Sequence, residues 1–211
     1  AKRLKAMGNN RYKDGFEVTI HEDLFDRPLR WRTPKVIFVN SMSDLFHEDV
    51  PDDAIIRIFE TMNKCPQHTF QILTRRSDRL RQISKMLKWT HNIWMGVTVE
   101  SNDFVFRISD LLGSDARTKF ASFEPLLGPI NVDLIGDIDW MIVGGESGPK
   151  AREMKKEWVL PIRDYCIEKE VPYFFKQWGG ARKKKLGRKI DGKIWDEMPT
   201  PSSEVVYGGA I

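Results

Sequence analysis

The sequence predicts an α/β fold of repeated strand–helix units, and three observations carry that prediction. Apolar runs rich in β-branched and aromatic residues recur roughly every 20 to 35 residues. The segments between them carry apolar residues at helical spacing. A polar or charged residue stands just past the end of nearly every apolar run. Runs that stay apolar, rather than alternating, belong to strands covered on both faces, as in parallel sheets. Strand–helix alternation then implies right-handed crossovers. An open doubly wound sheet has one dominant ligand loop, whereas a barrel gathers side chains from many strand ends at one mouth. The repeated polar strand ends therefore favour a parallel-sheet (β/α) barrel or a partial, TIM-like one.

The elements follow in order. The stretch AKRLKAMG reads as the last turns of a helix stopped at Gly8. FEVTI (Phe16–Ile20) predicts a short strand, and EDLFDRPLRW (Glu22–Trp31) a short helix ended near Pro28. KVIFVN (Lys35–Asn40) is the first strand of the rhythm. Pro51, with Asp52 and Asp53 beside it, opens a helix whose stripe is Ile55, Ile58, Phe59 and Met62. TFQILT (Thr69–Thr74) leads to Ser77 as N-cap of a helix with Leu80, Ile83 and Leu87 on one face. NIWMGVTV (Asn92–Val99) leads to a helix with Phe104, Ile108 and Leu111. TKFASF (Thr118–Phe123) is followed by EPLLGPI and a turn. DWMIVGG (Asp139–Gly145) precedes a loop and a helix with Trp158, Ile162 and Tyr165. VPYFFKQ (Val171–Gln177) is the sixth strand. Residues 1–178 thus form the barrel-like domain. Residues 179–211, rich in Gly, Lys and Pro, read as a basic C-terminal tail or flap.

Composition narrows the class. The 211 residues suit one domain, or one domain plus a tail, and a hydrophobic fraction of 41% can bury a sizeable core. No apolar run approaches the roughly 18 residues that cross a bilayer, and the N-terminus lacks a signal peptide's apolar stretch. A cytoplasmic protein is expected. Cys65 and Cys166, about a hundred residues apart, make no disulfide framework, structural zinc site or iron–sulfur cradle. His21, His47, His68 and His91 show no metal-binding spacing, so no metal site is expected. Ser41 or Ser43 with His47 and Asp44 lacks a nucleophile elbow.

The strand ends form the candidate site: Asn40 with Ser41, Ser43 and Asp44; Thr74 with Arg75 and Arg76; Thr98 with Glu100; Ser122 with Glu124; Gly144, Gly145, Glu146 and Ser147; and Lys176, Gln177 and Trp178. Glu100, Glu124 and Glu146 occupy equivalent places on successive strands. Carboxylates brought together in a partly desolvated mouth need Arg75, Lys176, a metal or a basic ligand group nearby. Glu100, Glu124 and Lys176 are the catalytic candidates. In GGESGPKAR the paired glycines suit either a close backbone approach to an anion or a tight turn. From Lys176 to Lys193 basic residues far outnumber Asp191, and the net charge is +4. Arg182, Lys183, Lys184 and Lys185 with Trp178 are candidates for contact with nucleic acid, by charge and stacking.

FVNSMSDLFHEDVP, HTFQILTRR, WMGVTVE, FEPLLGPI, DWMIVGGESGPKAR, VPYFFKQWG and DGKIWDEMP together resemble the phage gp-thirty-seven/gp-sixty-eight family, also found in bacterial genomes. That resemblance implies a radical S-adenosylmethionine (SAM)-like barrel in a bacterial or phage-infected cytoplasm. It implies an N-terminal three-cysteine motif that holds a 4Fe–4S cluster, just before a helix ending like AKRLKAMG. This sequence begins inside that helix, without the motif or the first strand. Truncation or a mis-assigned start is expected, more than genuine loss of the segment. As it stands the chain is expected to bind no cluster, to hold no cofactor stably and not to be catalytic alone. By the same resemblance Gly144, Gly145 and Glu146 are candidates for the methionine end of SAM, and Ser147 is a further cofactor-binding candidate. Glu100 or Glu124 would take the ribose, and Asn40, Ser41 and Thr74 line the same site.

Two alternatives remain open at this level. One is a protein that binds nucleic acid through the basic tail, or that serves a phage-encoded partner. The other is metal-dependent hydrolysis by Glu100, Glu124, Glu146 and Asp44, whose oxygens suit Mg²⁺ or Mn²⁺.

Overall fold

The computed structural model describes residues 5–8, 13–15, 17–41, 43–181 and 187–200. Six strands form one sheet: β1 (Val36–Val39), β2 (Thr69–Thr74), β3 (Ile93–Thr98), β4 (Thr118–Phe123), β5 (Trp140–Gly144) and β6 (Tyr173–Gln177). All neighbours are parallel, and the spatial order is the chain order. With no reversal of order, crossovers of one hand lay every connection on the same side of the sheet. That side carries helices α1 (Asp52–Asn63), α2 (Ser77–Ile83), α3 (Phe106–Leu112) and α4 (Lys156–Glu168). The sheet curls away from them into a half-barrel.

Alternation along each strand divides the side chains between the two faces. Phe70, Ile72, Met95, Val97, Ala121, Phe123, Met141, Val143, Tyr173 and Phe175 face the helices and belong to the main core, with Ile55, Leu80, Ile108 and Ile162. Trp94, Phe120 and Trp140 form a separate buried cluster on the concave face, flanked by Leu73, Ile142 and Phe174. Strand pairing stacks this face in layers. Gln71 sits opposite Trp94; Leu73, Gly96, Phe120 and Trp140 lie in one row; Thr98, Ser122, Ile142 and Phe174 lie in the next. The aromatic layers fill the floor, as side chains fill a barrel interior, and leave the strand ends as its mouth.

The two edges of the sheet differ. A short antiparallel hairpin, β7 (Lys189–Ile190) with β8 (Lys193–Ile194), leads the chain back along β6. There Phe175 N donates to Trp195 O (2.9 Å), Glu197 N to Tyr173 O (3.2 Å), and Trp140 Nε1 to Glu197 O (2.9 Å). Residues 195–197 therefore satisfy an edge that would otherwise present unpaired backbone groups. On β1, Val36 and Phe38 are exposed.

Several local expectations change. Residues 18–20 form no strand among the described residues, and Val18 and Ile20 are exposed. The segment after them is two separate 3-10 turns, Glu22–Leu24 and Arg27–Arg30, because Pro28 has no N–H to continue a helical ladder. Ser77 is the first residue of α2 rather than its cap, and its hydroxyl donates to Asp110 (2.6 Å). Gly8 does take the left-handed conformation of a helix stop, at φ +73°. Among the described residues no helix is long and apolar enough to cross a membrane.

Candidate functional site

The rim of the concave face begins at Glu100, two residues past β3, and at Glu124, one residue past β4. Glu100 is held by two arginines: its Oε1 accepts from Arg75 Nε (2.6 Å) and its Oε2 from Arg107 Nη1 (2.8 Å). Arg107 also donates to Thr98 O (2.8 Å) and lies 4.3 Å from the centre of the Phe104 ring. The side chains of Glu100 and Arg107 are 13% and 11% exposed, whereas Arg75 is 54% exposed. The inner pair is thus nearly out of water, and the outer arginine still offers donors to solvent or to a ligand.

Past the end of β4, Glu124 Oε2 accepts from Lys176 Nζ of β6, two strands away (2.9 Å). Two features of the backbone set up this contact. Val143 pairs with Phe175 but Gly144 pairs with Gln177, so Lys176 is an extra residue on β6. A bulge of this kind re-aims a side chain, here across the mouth to Glu124. Gly144, for its part, lies directly beside Glu124: a Cβ there would stand 3.2 Å from the carboxylate.

The ends of β1 and β2 are organised by Asp44. It accepts from Thr74 Oγ1 (2.8 Å), Phe46 N (3.0 Å), Arg75 N (3.1 Å) and Arg76 Nη1 (3.1 Å). Thr74 is buried, and its hydroxyl also accepts from Arg76 N (2.9 Å), so it is spent on bracing Asp44 and the Arg76 backbone. Asn40 turns the chain after β1 at φ +58°, and its carbonyl accepts from Ser43 N (3.1 Å). Asn40 and Ser41 are exposed.

The GGESGPKAR loop uses its glycines differently. Gly145 N donates to Gln177 O (2.9 Å), and a Cβ on Gly145 would stand 2.0 Å from Trp178 O. A Cβ on Gly179 would stand 2.1 Å from Glu146 O, and Gly180 N donates to that same carbonyl (2.7 Å). These glycines let the chains leaving β5 and β6 touch backbone to backbone. Ser147 Oγ accepts from Gln177 Nε2 (2.8 Å). Glu146 accepts from Arg152 Nε (2.7 Å), Nη2 (3.1 Å) and the backbone N (3.0 Å). The Arg152 side chain, then its backbone N–H, hold the Glu146 carboxyl down to about 2. Each of the three equivalent carboxylates has its own cation, and Glu146 spends its charge closing its own loop.

Among the described residues no group of three or more His, Cys, Asp or Glu side chains is placed to hold a metal ion. Cys65 and Cys166 are free and buried in the main core. Burial above all, then the charge of Glu197, pushes the Cys166 thiol up to about 12, which suppresses thiolate formation. A cluster that needs three thiolates does not fit the described residues. His68 is a packing residue, edge-on to Trp31 and Phe70. Trp178 is committed as well: Nε1 donates to Lys189 O (2.9 Å), and its ring packs edge-on to Phe175. Arg182, Lys183, Lys184 and Lys185 lie outside the described residues.

Sequence reasoning missed Arg107 and Arg152. Arg107 sits beside Ile108 on an amphipathic helix seven residues past Glu100, where it reads as a solvated charge. The signal for Arg152 was the loop length, six residues past Glu146, which is enough for a turn to bring the two together.

In comparisons with known proteins, residues 1–199 match the family described as Protein of unknown function (DUF5131). Neither the curated proteins nor the solved structures hold a match. On a match that spans nearly the whole chain, this protein belongs to the DUF5131 family.

Proposed function

We propose that the chain is the ligand-holding half-barrel of a radical-SAM-like, phage-type protein, and that SAM binds at the rim of its concave face. The observation that carries this reading is the placement of two anchored carboxylates, Glu100 with Arg75 and Arg107, and Glu124 with Lys176, at neighbouring strand ends of one face. Charged groups that are already oriented offer a polar ligand donors and acceptors without a fresh ordering cost. The Glu100 carboxylate suits ribose hydroxyls, and Lys176 suits the carboxylate of the methionine part. Gly144 leaves room beside Glu124 that any Cβ would fill. Gly145 and Glu146 support the loop, since their polar groups already have partners.

SAM supplies, when a cluster reduces it, a carbon radical. No such step is assigned to this chain, because the described residues do not fit a cluster. The test is equilibrium dialysis of the purified protein with SAM. Lys176→Met and Glu100→Gln are expected to weaken retention about tenfold or more each, the scale of a charged hydrogen bond. Glu146→Gln is expected to leave it unchanged. Wild-type protein that retains no SAM at millimolar concentration, or rim variants that retain it equally well, would overturn the reading.

A second reading is contact with nucleic acid along the basic segment. It is favoured by Lys189 and Lys193, which are exposed on the hairpin next to the 182–185 run. Affinity for single-stranded DNA that falls steeply with salt, and that is lost on deleting residues 181–193, is expected. Salt-insensitive or absent binding would count against it.

A further inference from the structure

The ion pairs at the strand ends leave one cation over. Arg75, Arg76, Arg107 and Lys176 stand against Asp44, Glu100 and Glu124, four cations against three carboxylates. Arg76 pairs with Asp44 and Lys176 with Glu124, whereas Arg75 and Arg107 share Glu100. Of these two, Arg107 is nearly buried and also donates to Thr98 O. The surplus positive charge therefore falls on Arg75, which is more than half exposed.

Arg75 is also anchored at both ends. Its backbone N–H donates to Asp44 Oδ2 (3.1 Å) and its Nε to Glu100 Oε1 (2.6 Å). Glu100 is fixed in turn: its other oxygen accepts from Arg107, and its carbonyl accepts from Leu127 N (2.7 Å). A guanidinium carries five N–H donors in a planar fork that matches two oxygens of a phosphate or carboxylate. On Arg75 only the Nε donor is spent, and Nη1 and Nη2 make no hydrogen bond among the described residues. Arg152 shows the contrast, since its Nε and Nη2 both close onto Glu146. An arginine on a free surface loses side-chain freedom when it grips an anion; one already anchored has less left to lose.

We infer that Arg75 is the anion receptor for a second substrate: its open Nη1–Nη2 edge pairs with two oxygens of a phosphate or carboxylate group carried by the molecule bound beside SAM. The inference rests on the reading of the strand-end rim as the ligand site, and it names the class of molecule that joins SAM there. Neither Lys176 nor Glu100 supplies this contact, because each already has a carboxylate or guanidinium partner.

The probes are inorganic phosphate and acetate, titrated into the full chain beside sodium chloride at equal ionic strength. Backbone amide NMR signals of residues 75 and 100 report binding, and SAM is titrated alone and then into the phosphate-loaded samples. Saturable shifts are expected with phosphate or acetate and not with chloride. Tighter binding of phosphate would mark a phosphorylated substrate, and tighter binding of acetate a carboxylic acid. Arg75→Lys keeps the charge on Glu100 but loses the fork; it is expected to weaken the anion about tenfold or more and to leave SAM retention unchanged. Arg152→Lys is expected to leave both unchanged. No saturable shift, an Arg75→Lys variant that binds the anion equally well, or SAM displacing the bound anion would overturn the inference. SAM bound without either anion would sink the receptor alone, and an anion bound without SAM would sink the SAM reading alone.

Discussion

Gly96 on β3 lies directly beneath the ring of Phe120 on β4: a Cβ on Gly96 would stand 2.3 Å from Phe120 Cε2. The two are register partners on the concave face, so the glycine is what lets a fully buried phenylalanine lie flat over its neighbour. Gly96→Ala is therefore expected to destabilise the protein by about 1–3 kcal/mol, the usual cost of overpacking a core. Urea denaturation measures this. Adding Phe120→Leu, which shortens the clashing group, is expected to recover part of the loss; a double variant weaker than both singles would show that the contact is not the cause.

The two arginines on Glu100 are expected to differ sharply. Arg107→Met leaves a nearly buried carboxylate short of its inner partner and is expected to cost about 3–5 kcal/mol. Arg75→Met removes a largely exposed partner and is expected to cost about 0–1 kcal/mol. Equal losses in the two variants would contradict the burial difference between them.

Acid is expected to open the 146–152 loop. The folded loop holds the Glu146 carboxyl at about 2, below its ordinary 4.5, so folding favours the ionised form. Its contribution is complete above 4.5 and is lost as pH falls towards 2. Carboxyl chemical shifts of Glu146 should titrate near the lower value, with faster amide exchange at Arg152 below it. Titration at the ordinary value would mean that the three hydrogen bonds do not persist in solution.

Gly145→Ala is expected to act on stability rather than on ligand retention. The added Cβ meets the Trp178 carbonyl at 2.0 Å, and backbone cannot swing aside as a side chain would. The chain ends of β5 and β6 must separate, with a fall in the denaturation midpoint and a change in Trp178 fluorescence. A variant of unchanged stability that had lost SAM would instead make Gly145 part of the binding cradle.

Much of the architecture was legible because parallel strands covered on both faces write themselves as unbroken apolar runs. TFQILT and NIWMGVTV announce β2 and β3, and Ile55, Phe59 and Met62 announce the buried stripe of α1; KVIFVN reads the same way, yet β1 is an edge strand with Val36 and Phe38 exposed. The failures have local causes. FEVTI has strand composition, but composition does not create a partner strand. EDLFDRPLRW has helical spacing, but one proline divides it into two short turns.

For the site, sequence alone determined that polar residues gather where the strands end, since that follows from the length of each apolar run. Which of them face the mouth was decided by the tertiary structure. Glu100, Glu124 and Glu146 look equivalent in sequence, yet Glu100 pairs with Arg75 and a helix arginine, Glu124 with Lys176 from β6, and Glu146 with Arg152 in its own loop. Lys176 reaches Glu124 through a one-residue bulge that exists only as a mismatch between β5 and β6. Side chains alternate faces at every residue, so one extra residue redirects a side chain, and its position depends on pairing with a strand some thirty residues away.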